Sequence, residues 1–151
     1  MQIRRYKPGD NKAVKALHFA GLNQFGGNAD PYHDKDLDDI EGVYLNNDGE
    51  FLVGTLNDKI IAIGALKKIT AIRGEIKRIR VDRKFQRHGY GQAILKKLLE
   101  IATEYGYLEL CLDTVVDNIP AQRLFEKHGF YETHRGRVGA YDLAFYNRNL
   151  K

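Results

Sequence analysis

Hydrophobic and polar positions along this chain change period several times, and each change marks an element. Residues 1–7 read as a first strand, broken by Pro8-Gly9-Asp10. Asp10 can cap a helix running to about Gln24, with Val14, Leu17, His18 and Leu22 on one face. Gly26-Gly27-Asn28-Ala29-Asp30-Pro31 reads as a loop, and a second helix is expected within residues 34–43. Strands over 51–56 and 60–68 flank the turn Asn57-Asp58-Lys59 and form a hairpin. After a break at 71–74, the next strand covers 75–81. Residues 92–105 carry Ile94, Leu95, Leu98, Leu99, Ala102 and Tyr105 at helical spacing, closed by Gly106. An apolar strand covers 108–114. Asp117 or Asn118 can cap a short helix over 119–128, with Pro120 in its first turn and Gly129 past its end. Its Ala121, Leu124 and Phe125 face inward. Residues 131–138 and 141–146 read as a closing strand pair. The order β-α-α-β-β-β-α-β-α-β-β contains one strand–helix–strand crossover. The predicted fold is therefore α/β, a mixed sheet flanked by helices.

The strand at 75–81 breaks its own period. Ile76, Ile79 and Val81 are spaced three and then two, although a regular strand puts i and i+2 on one face. One extra residue near Lys77 or Arg78, a β-bulge, restores the parity. The alternative is a central strand buried on both faces, for which parity carries no information.

A chain of 151 residues with 43% hydrophobic and 29% charged residues is expected to form one domain, spanning 1–151. No apolar run approaches the roughly 20 residues of a membrane span, and Met1-Gln2-Ile3-Arg4-Arg5 lacks the apolar core of a signal peptide. One cysteine, Cys111, allows no internal disulfide and suits a reducing, cytoplasmic setting. Its apolar strand context reads as core rather than nucleophile. The net charge of +4 is uneven: residues 30–50 hold eight acids against Lys35, a local −7 that leaves +11 for the rest. A basic body suits a polyanionic ligand. Without interleaved stacking aromatics or a known motif, the basic residues point away from nucleic acid.

The most informative stretch is Gln86-Arg87-His88-Gly89-Tyr90-Gly91, between the strand at 75–81 and the helix opening at Gln92. The first amides of a helix lack intrahelical partners and carry partial positive charge, and glycine lets an anion approach them closely. Arg87 and His88 can add donors. These residues are a candidate phosphate cradle; the alternative is a plain strand-to-helix turn. No Gly-Lys-Ser/Thr follows, and no third glycine completes a dinucleotide fingerprint.

With these elements in place, the chain resembles the GNAT superfamily of acyl-CoA-dependent N-acyltransferases. The loop Gln86 to Gly91 is similar to the family's Gln/Arg-x-x-Gly-x-Gly/Ala pyrophosphate loop. Asn118-Ile119-Pro120-Ala121-Gln122-Arg123-Leu124-Phe125-Glu126-Lys127-His128-Gly129-Phe130 is similar to its Asn-x-x-Ala-x-x-Leu-Tyr-x-x-x-Gly-Phe motif. The resemblance implies a central splayed sheet and acetyl-CoA as cosubstrate, with no metal. Gln86, Arg87, His88, Gly89, Tyr90, Gly91 and Gln92 would surround the pyrophosphate. The backbone of Ile79, Arg80 and Val81 would pair with the pantetheine arm, in a gap opening toward residues 110–114. Asn118 and Phe125 would contact the arm, Asn118 also serving as a helix cap.

The implied reaction is acetylation of a primary amine by direct attack on the thioester. A free alkylamine has a pKa near ~10, so a base must take its proton. Glu75 stands 14 residues before Gly89, the spacing of the catalytic glutamate in histone acetyltransferases of this superfamily. A solvated strand-end charge, or a pair with Arg78, is its alternative role, and Asp113 is the reserve base. A bulge N–H near Ile79 could stabilise the oxyanion. Phe125 departs from the family, which commonly has tyrosine there as acid for the departing thiolate. Tyr131, Tyr107 or Tyr141 could replace it, or no acid is needed, since a thiol of pKa near ~8.5 leaves as a tolerable anion.

The acceptor is expected to be a small-molecule amine, held by residues 24–44 and 131–141. Tyr32 and His33 lie in that region, and its acids could attract a cation or simply be solvated. A protein or peptide amine and a non-catalytic acyl-CoA-binding module are the alternatives. An edge strand near the C-terminus leaves a homodimer open.

Overall fold

The chain folds around one twisted sheet whose strands follow the alternation read above. The computed structural model describes residues 1–22 and 34–151. The loop expected at 26–31, with Gln24, Tyr32 and His33, lies outside the described residues. The strands are β1 (Gln2–Arg5), β2 (Glu50–Leu56), β3 (Lys59–Lys68), β4 (Arg73–Val81), β5 (Glu109–Val115), β6 (Tyr131–Val138) and β7 (Tyr141–Asn149). They lie in the order β1-β2-β3-β4-β5-β7-β6. Among the described residues three α-helices pack on the sheet: α1 (Asn11–Leu22), α2 (Tyr90–Glu104) and α3 (Ile119–Lys127). Among the described pairs only β4 with β5, joined through α2, is parallel. The α/β, mixed-sheet expectation is therefore met.

Boundaries moved where side chains competed for the backbone. Asp10 does not open the first helix. It ends a 3₁₀ turn at Pro8–Asp10, where its carboxylate accepts the Lys7 amide at 2.9 Å and a two-pronged contact from Arg4 at 2.7 and 2.9 Å. The second helix expected at 34–43 is instead a 3₁₀ turn, Lys35–Asp38, followed by a π-turn, Glu41–Leu45. Asp39 accepts the Gly42 amide at 3.1 Å, and Asp36 turns inward, so neither supports a regular helix. The hairpin turn is one residue tighter than expected. Asn57 and Asp58 both take positive φ, 51° and 64°, while Lys59 already pairs with Leu56. On α2, Ile101 is buried in addition to the expected stripe, and Tyr105 is 46% exposed.

The sheet buries both faces. Ala62, Leu66, Ile76, Leu110 and Leu112 meet α2, with Ile94, Leu95 and Leu98 at the contact. On the opposite face Phe51, Val53, Ile63 and Ala65 meet Val14 and Leu17 of α1, together with Leu37, Ile40 and Tyr44. β3 is buried on both sides for this reason, as its near-continuous apolar run requires.

Two departures from regularity make room in the middle of the sheet. β4 and β5 pair only from Arg73–Glu109 to Glu75–Cys111 and then part. On its other side β4 carries a bulge: Ile63 pairs with Arg80 but Ala65 with Lys77, so β4 spends three residues where β3 spends two. Arg78 takes a φ of 61° at this point. The bulge explains the spacing of Ile76, Ile79 and Val81, which all pack on the α2 side. Glu75 and Lys77 alternate with them, and the bulge leaves Arg78 and Arg80 on the α1 side too.

Candidate active site

The parting of β4 from β5 opens a cleft of about 400 Å³. Its walls come from Glu75 to Arg80 on β4, Asp113 to Val115 on β5, Asn118, Ala121, Leu124 and Phe125 around α3, and Tyr141, Leu143 and Phe145 on β7. Val138 on β6, Gly21 and Leu22 at the end of α1, and Asp34 complete it.

Glu75 sits where the two strands separate, half-buried, and loss of water pushes its carboxyl pKa up; Lys77 opposes the shift and Asp113 adds to it. Asp113 opens onto the cleft, yet the protein around it still strips enough water to raise its pKa, against the pull of Lys77 and Arg78. Two carboxyls with raised pKa values thus share one cleft with a lysine. Glu75 makes no ion pair with Arg78, which is engaged elsewhere.

That engagement is the largest polar feature of the site. Arg78 Nε donates to Asp36 Oδ2 at 3.0 Å, Nη2 to Asp36 Oδ1 at 2.5 Å, and Nη1 to Asp34 Oδ1 at 3.1 Å. The Tyr44 hydroxyl donates to Asp36 at 2.5 Å, and His18 Nε2 lies 3.1 Å from Asp34 Oδ1. Burial alone would raise the Asp36 pKa, but the bonds and charge of Arg78 more than offset it and hold it below the ordinary value. His18 is fully buried; desolvation, reinforced by Arg78 and Arg80, lowers its pKa to about 4 against the pull of Asp34. The imidazole is therefore neutral near pH 7, and Nε2 is the protonated nitrogen because Asp34 can only accept. Asp34 and Asp36 are thus neither solvated nor free to draw in a cationic substrate, as their sequence position suggested. Nothing in the local sequence marks this network except a run of cations, Lys77, Arg78 and Arg80, on a central strand where apolar residues belong.

The cradle residues lie at the N-terminus of α2. Gly89 stands at the cap with a φ of 81°, and no side chain caps the helix. Ala93 donates to Gly89 O at 3.0 Å, so the first turn keeps the unpartnered amides of any helix start. A Cβ on Gly89 would meet nothing within 4 Å: the space in front of the loop is open. Arg87 shares the positive φ, at 66°, and is exposed. His88 Nδ1 lies 2.9 and 3.0 Å from the carbonyls of Gln86 and Phe85 and serves the loop, and the ring stacks on Tyr90. Gln86 Nε2 donates to Val81 O at 3.1 Å, tying the loop to β4. The Gln92 side chain accepts from Lys127 at 2.9 Å. A Cβ on Gly91 would touch Val81 at 3.5 Å and Leu124 at 3.9 Å, and Leu124 lines the cleft, so cradle and cleft adjoin.

The remaining expected residues divide. Ile79 and Arg80 line the cleft; Val81 lies beyond it, against the cradle. Asn118 both borders the cleft and caps α3, its Oδ1 accepting the Ala121 amide at 3.2 Å. Phe125 is 6% exposed and packs edge-on against Phe130 with centroids 5.9 Å apart. Of the three tyrosines, only Tyr141 lines the cleft. Tyr107 donates to the Asp48 carbonyl at 2.6 Å in a separate depression, and Tyr131 is half exposed on the outermost strand. Cys111 is half-buried beside β4; burial pushes its thiol pKa up, which suits packing rather than nucleophilic attack.

Comparison with known proteins agrees with this geometry. Residues 17–130 match the Acetyltransferase (GNAT) family. An uncharacterized N-acetyltransferase of Bacillus subtilis, YsnE, is 35% identical over 75 residues, 48% of this chain and 50% of its own. Human N-acetyltransferase 8 is 30% identical over 104 residues, 65% of this chain and 46% of its own. The chain thus spans about half the length of these relatives. Among solved structures, a GNAT-family acetyltransferase from Staphylococcus aureus superposes with a TM-score of 0.92 at 25% identity, covering 99% of both chains. The yncA protein of Salmonella typhimurium, solved with its cofactor acetyl-CoA, has the same fold, with a TM-score of 0.81 at 18% identity over 99% of this chain and 94% of that one. Parted central strands, a bulged β4, a glycine turn at the head of α2 and a family match over most of the length together make this chain a member of the GNAT acetyltransferase family.

Proposed function

We propose that this protein transfers an acetyl group from acetyl-CoA to a primary amine of a small molecule, with Glu75 as general base. The observation that carries the reading is Glu75 itself: a carboxyl of raised pKa at the point where β4 and β5 part, facing a cleft that runs on to an uncapped helix N-terminus.

The residues present fit the cosubstrate. The open space before Gly89 and the first-turn amides of Tyr90, Gly91 and Gln92 suit a pyrophosphate, with exposed Arg87 beside them. The edge of β4 from Ile79 to Val81 has no strand partner on the β5 side and can bond an extended amide-containing arm. Asn118 and Phe125 border that path. When bound, acetyl-CoA supplies an activated thioester: the amine nitrogen bonds the acetyl carbon, the carbon–sulfur bond breaks, and the thiolate leaves. Glu75 accepts the amine proton, directly or through water; its raised pKa brings it closer to working pH. A β4 amide at the bulge by Ile79 would stabilise negative charge on the carbonyl oxygen. Phe125 cannot protonate the thiolate, and Tyr141, the tyrosine that lines the cleft among the described residues, takes that role. Tyr141→Phe should lower kcat by about tenfold or more, and Phe125→Tyr in that background should restore part of the loss.

The deciding experiment measures free CoA released from acetyl-CoA against polyamines, amino acids, aminoglycosides and short peptides. Turnover with a small amine supports the reading. Tight CoA binding without turnover on any amine would replace it with a non-catalytic binder.

A further inference from the structure

Resting on that reading, we infer that Arg80 binds a carboxylate of the acceptor, so that the amine acetylated belongs to an amino acid or another carboxylate-bearing amine. The α1 face of β4 presents four charged side chains to one cleft. Arg78 is committed to Asp34 and Asp36. Lys77 lies against the Glu75 and Asp113 charges. Arg80 differs. Its Nε is closed to solvent and has no hydrogen-bond partner, and among the described residues no carboxylate lies within ion-pair distance of its fork. Asp34 acts on it only through space, and the Oδ1 of Asp34 already serves Arg78 and His18. His18, neutral, contributes no countercharge.

A guanidinium whose Nε is shut off from water with nothing to accept its proton is unfavourable, and the partly exposed fork of Arg80, which lines the cleft, matches a carboxylate in two-pronged fashion. The fold also makes space for it. Gly21 of α1 lies so close that a Cβ there would stand 2.8 Å from Arg80 Cδ and 3.2 Å from Nε. The cosubstrate phosphates are not the natural partner. The cradle lies beside Val81, whose side chain points to the α2 face, whereas Arg80 points to the α1 face. The acceptor is the remaining component of the reaction that can bring an anion to this side of the strand.

The test compares each amine with its carboxyl-blocked twin: glycine, β-alanine, γ-aminobutyrate, glutamate and glycylglycine against the corresponding C-terminal amides. Two readouts are taken on the wild type and on Arg80→Gln: kcat/KM for CoA release, and calorimetric titration of acid and amide into CoA-saturated protein. A preference for acid over amide of at least about tenfold, collapsing toward unity in Arg80→Gln, is expected. The free amino acids and the dipeptide separate a small acceptor from a peptide C-terminus. Gly21→Ala, which suits a helix at least as well as glycine, should also weaken the preference by displacing the fork. Equal use or equal binding of acids and amides by the wild type overturns the inference, even if amines are acetylated. So does a preference that survives Arg80→Gln, and so does failure of every acid to bind. Acid binding that depends on Arg80 without turnover would uphold the carboxylate site while removing the catalytic reading.

Discussion

Glu75 illustrates how far one residue can be read in isolation. Its place before the glycine turn nominated it as a base, and its position where β4 leaves β5 supplies a physical reason: burial raises its pKa. Glu75→Gln should reduce kcat by roughly 10²-fold near neutral pH. The deficit should shrink as pH rises, because solvent then deprotonates more of the amine without help. A pH–rate profile of both proteins checks this, and a near-native, pH-independent rate in the variant would remove Glu75 from the reaction. Arg78 and Arg80 were less legible. Both are arginines on one strand, yet Arg78 closes a network with Asp34 and Asp36 while Arg80 has no such partner among the described residues. Residues some forty positions apart in sequence meet there, and no local pattern encodes that meeting. Gln86 and His88 were expected at a phosphate, and their side chains hold the loop itself, through Val81 and through two carbonyls.

At the scale of elements, the glycine turn and the bulge do most to shape the cleft. Gly89 combines a φ of 81° with open space before it. Gly89→Val must adopt a conformation that β-branched residues avoid, and it would place a side chain where the anion is to sit. Affinity for CoA, measured by titration, should fall at least about tenfold while the circular dichroism of the fold is kept; unchanged affinity would refute the cradle. Gly64 tests packing rather than conformation. It lies under α2, where a Cβ would collide with Ile94 and come within 3.1 Å of Leu98 Cδ1. Gly64→Ala should therefore destabilise the fold by about 1–3 kcal/mol in chemical denaturation. The bulge itself was visible as a parity flip, since strand period is strict enough for one extra residue to show. The 3₁₀ and π turns over 35–45 were not visible as such, because acids that leave the helix for distant or local hydrogen bonds defeat a pattern built on apolar spacing.

Across the whole molecule, the His18–Asp34–Arg78–Asp36–Tyr44 network joins α1, the segment after residue 34 and β4. Stability should depend on pH through it. The His18 pKa falls from 6.5 to about 4 on folding, so between these values the unfolded chain binds more protons than the native one. Stability contributed by neutral His18 is present above about pH 6.5 and is lost as pH falls toward 4, by up to roughly 3 kcal/mol. Glu75 and Asp113, with raised pKa values, act in the opposite direction, so the measurement is a difference: denaturation midpoints of wild type and His18→Gln across pH 4–7. The variant should show the shallower loss on acidification, and parallel curves would contradict the assignment. The same view bears on charge. The acids of the stretch 30–50 were expected either to attract a cation or to be solvated, but Asp34, Asp36 and Glu50 are buried, with Asp34 and Asp36 bonded to Arg78 and Glu50 to Arg5.

By itself, the sequence determined the order of the strands and of the three α-helices, the mixed sheet, the parity flip in β4, the glycine turn and the family, because these rest on local period, turn chemistry and short motifs. The tertiary structure alone decided that the parting of β4 from β5 begins after Glu75, that Tyr141 rather than Tyr107 or Tyr131 lines the cleft, and that Arg78 is paired with carboxylates while, among the described residues, Arg80 is not. Those outcomes depend on which distant side chains share a low-dielectric space, and that is set by packing across the sheet rather than by neighbours along the chain.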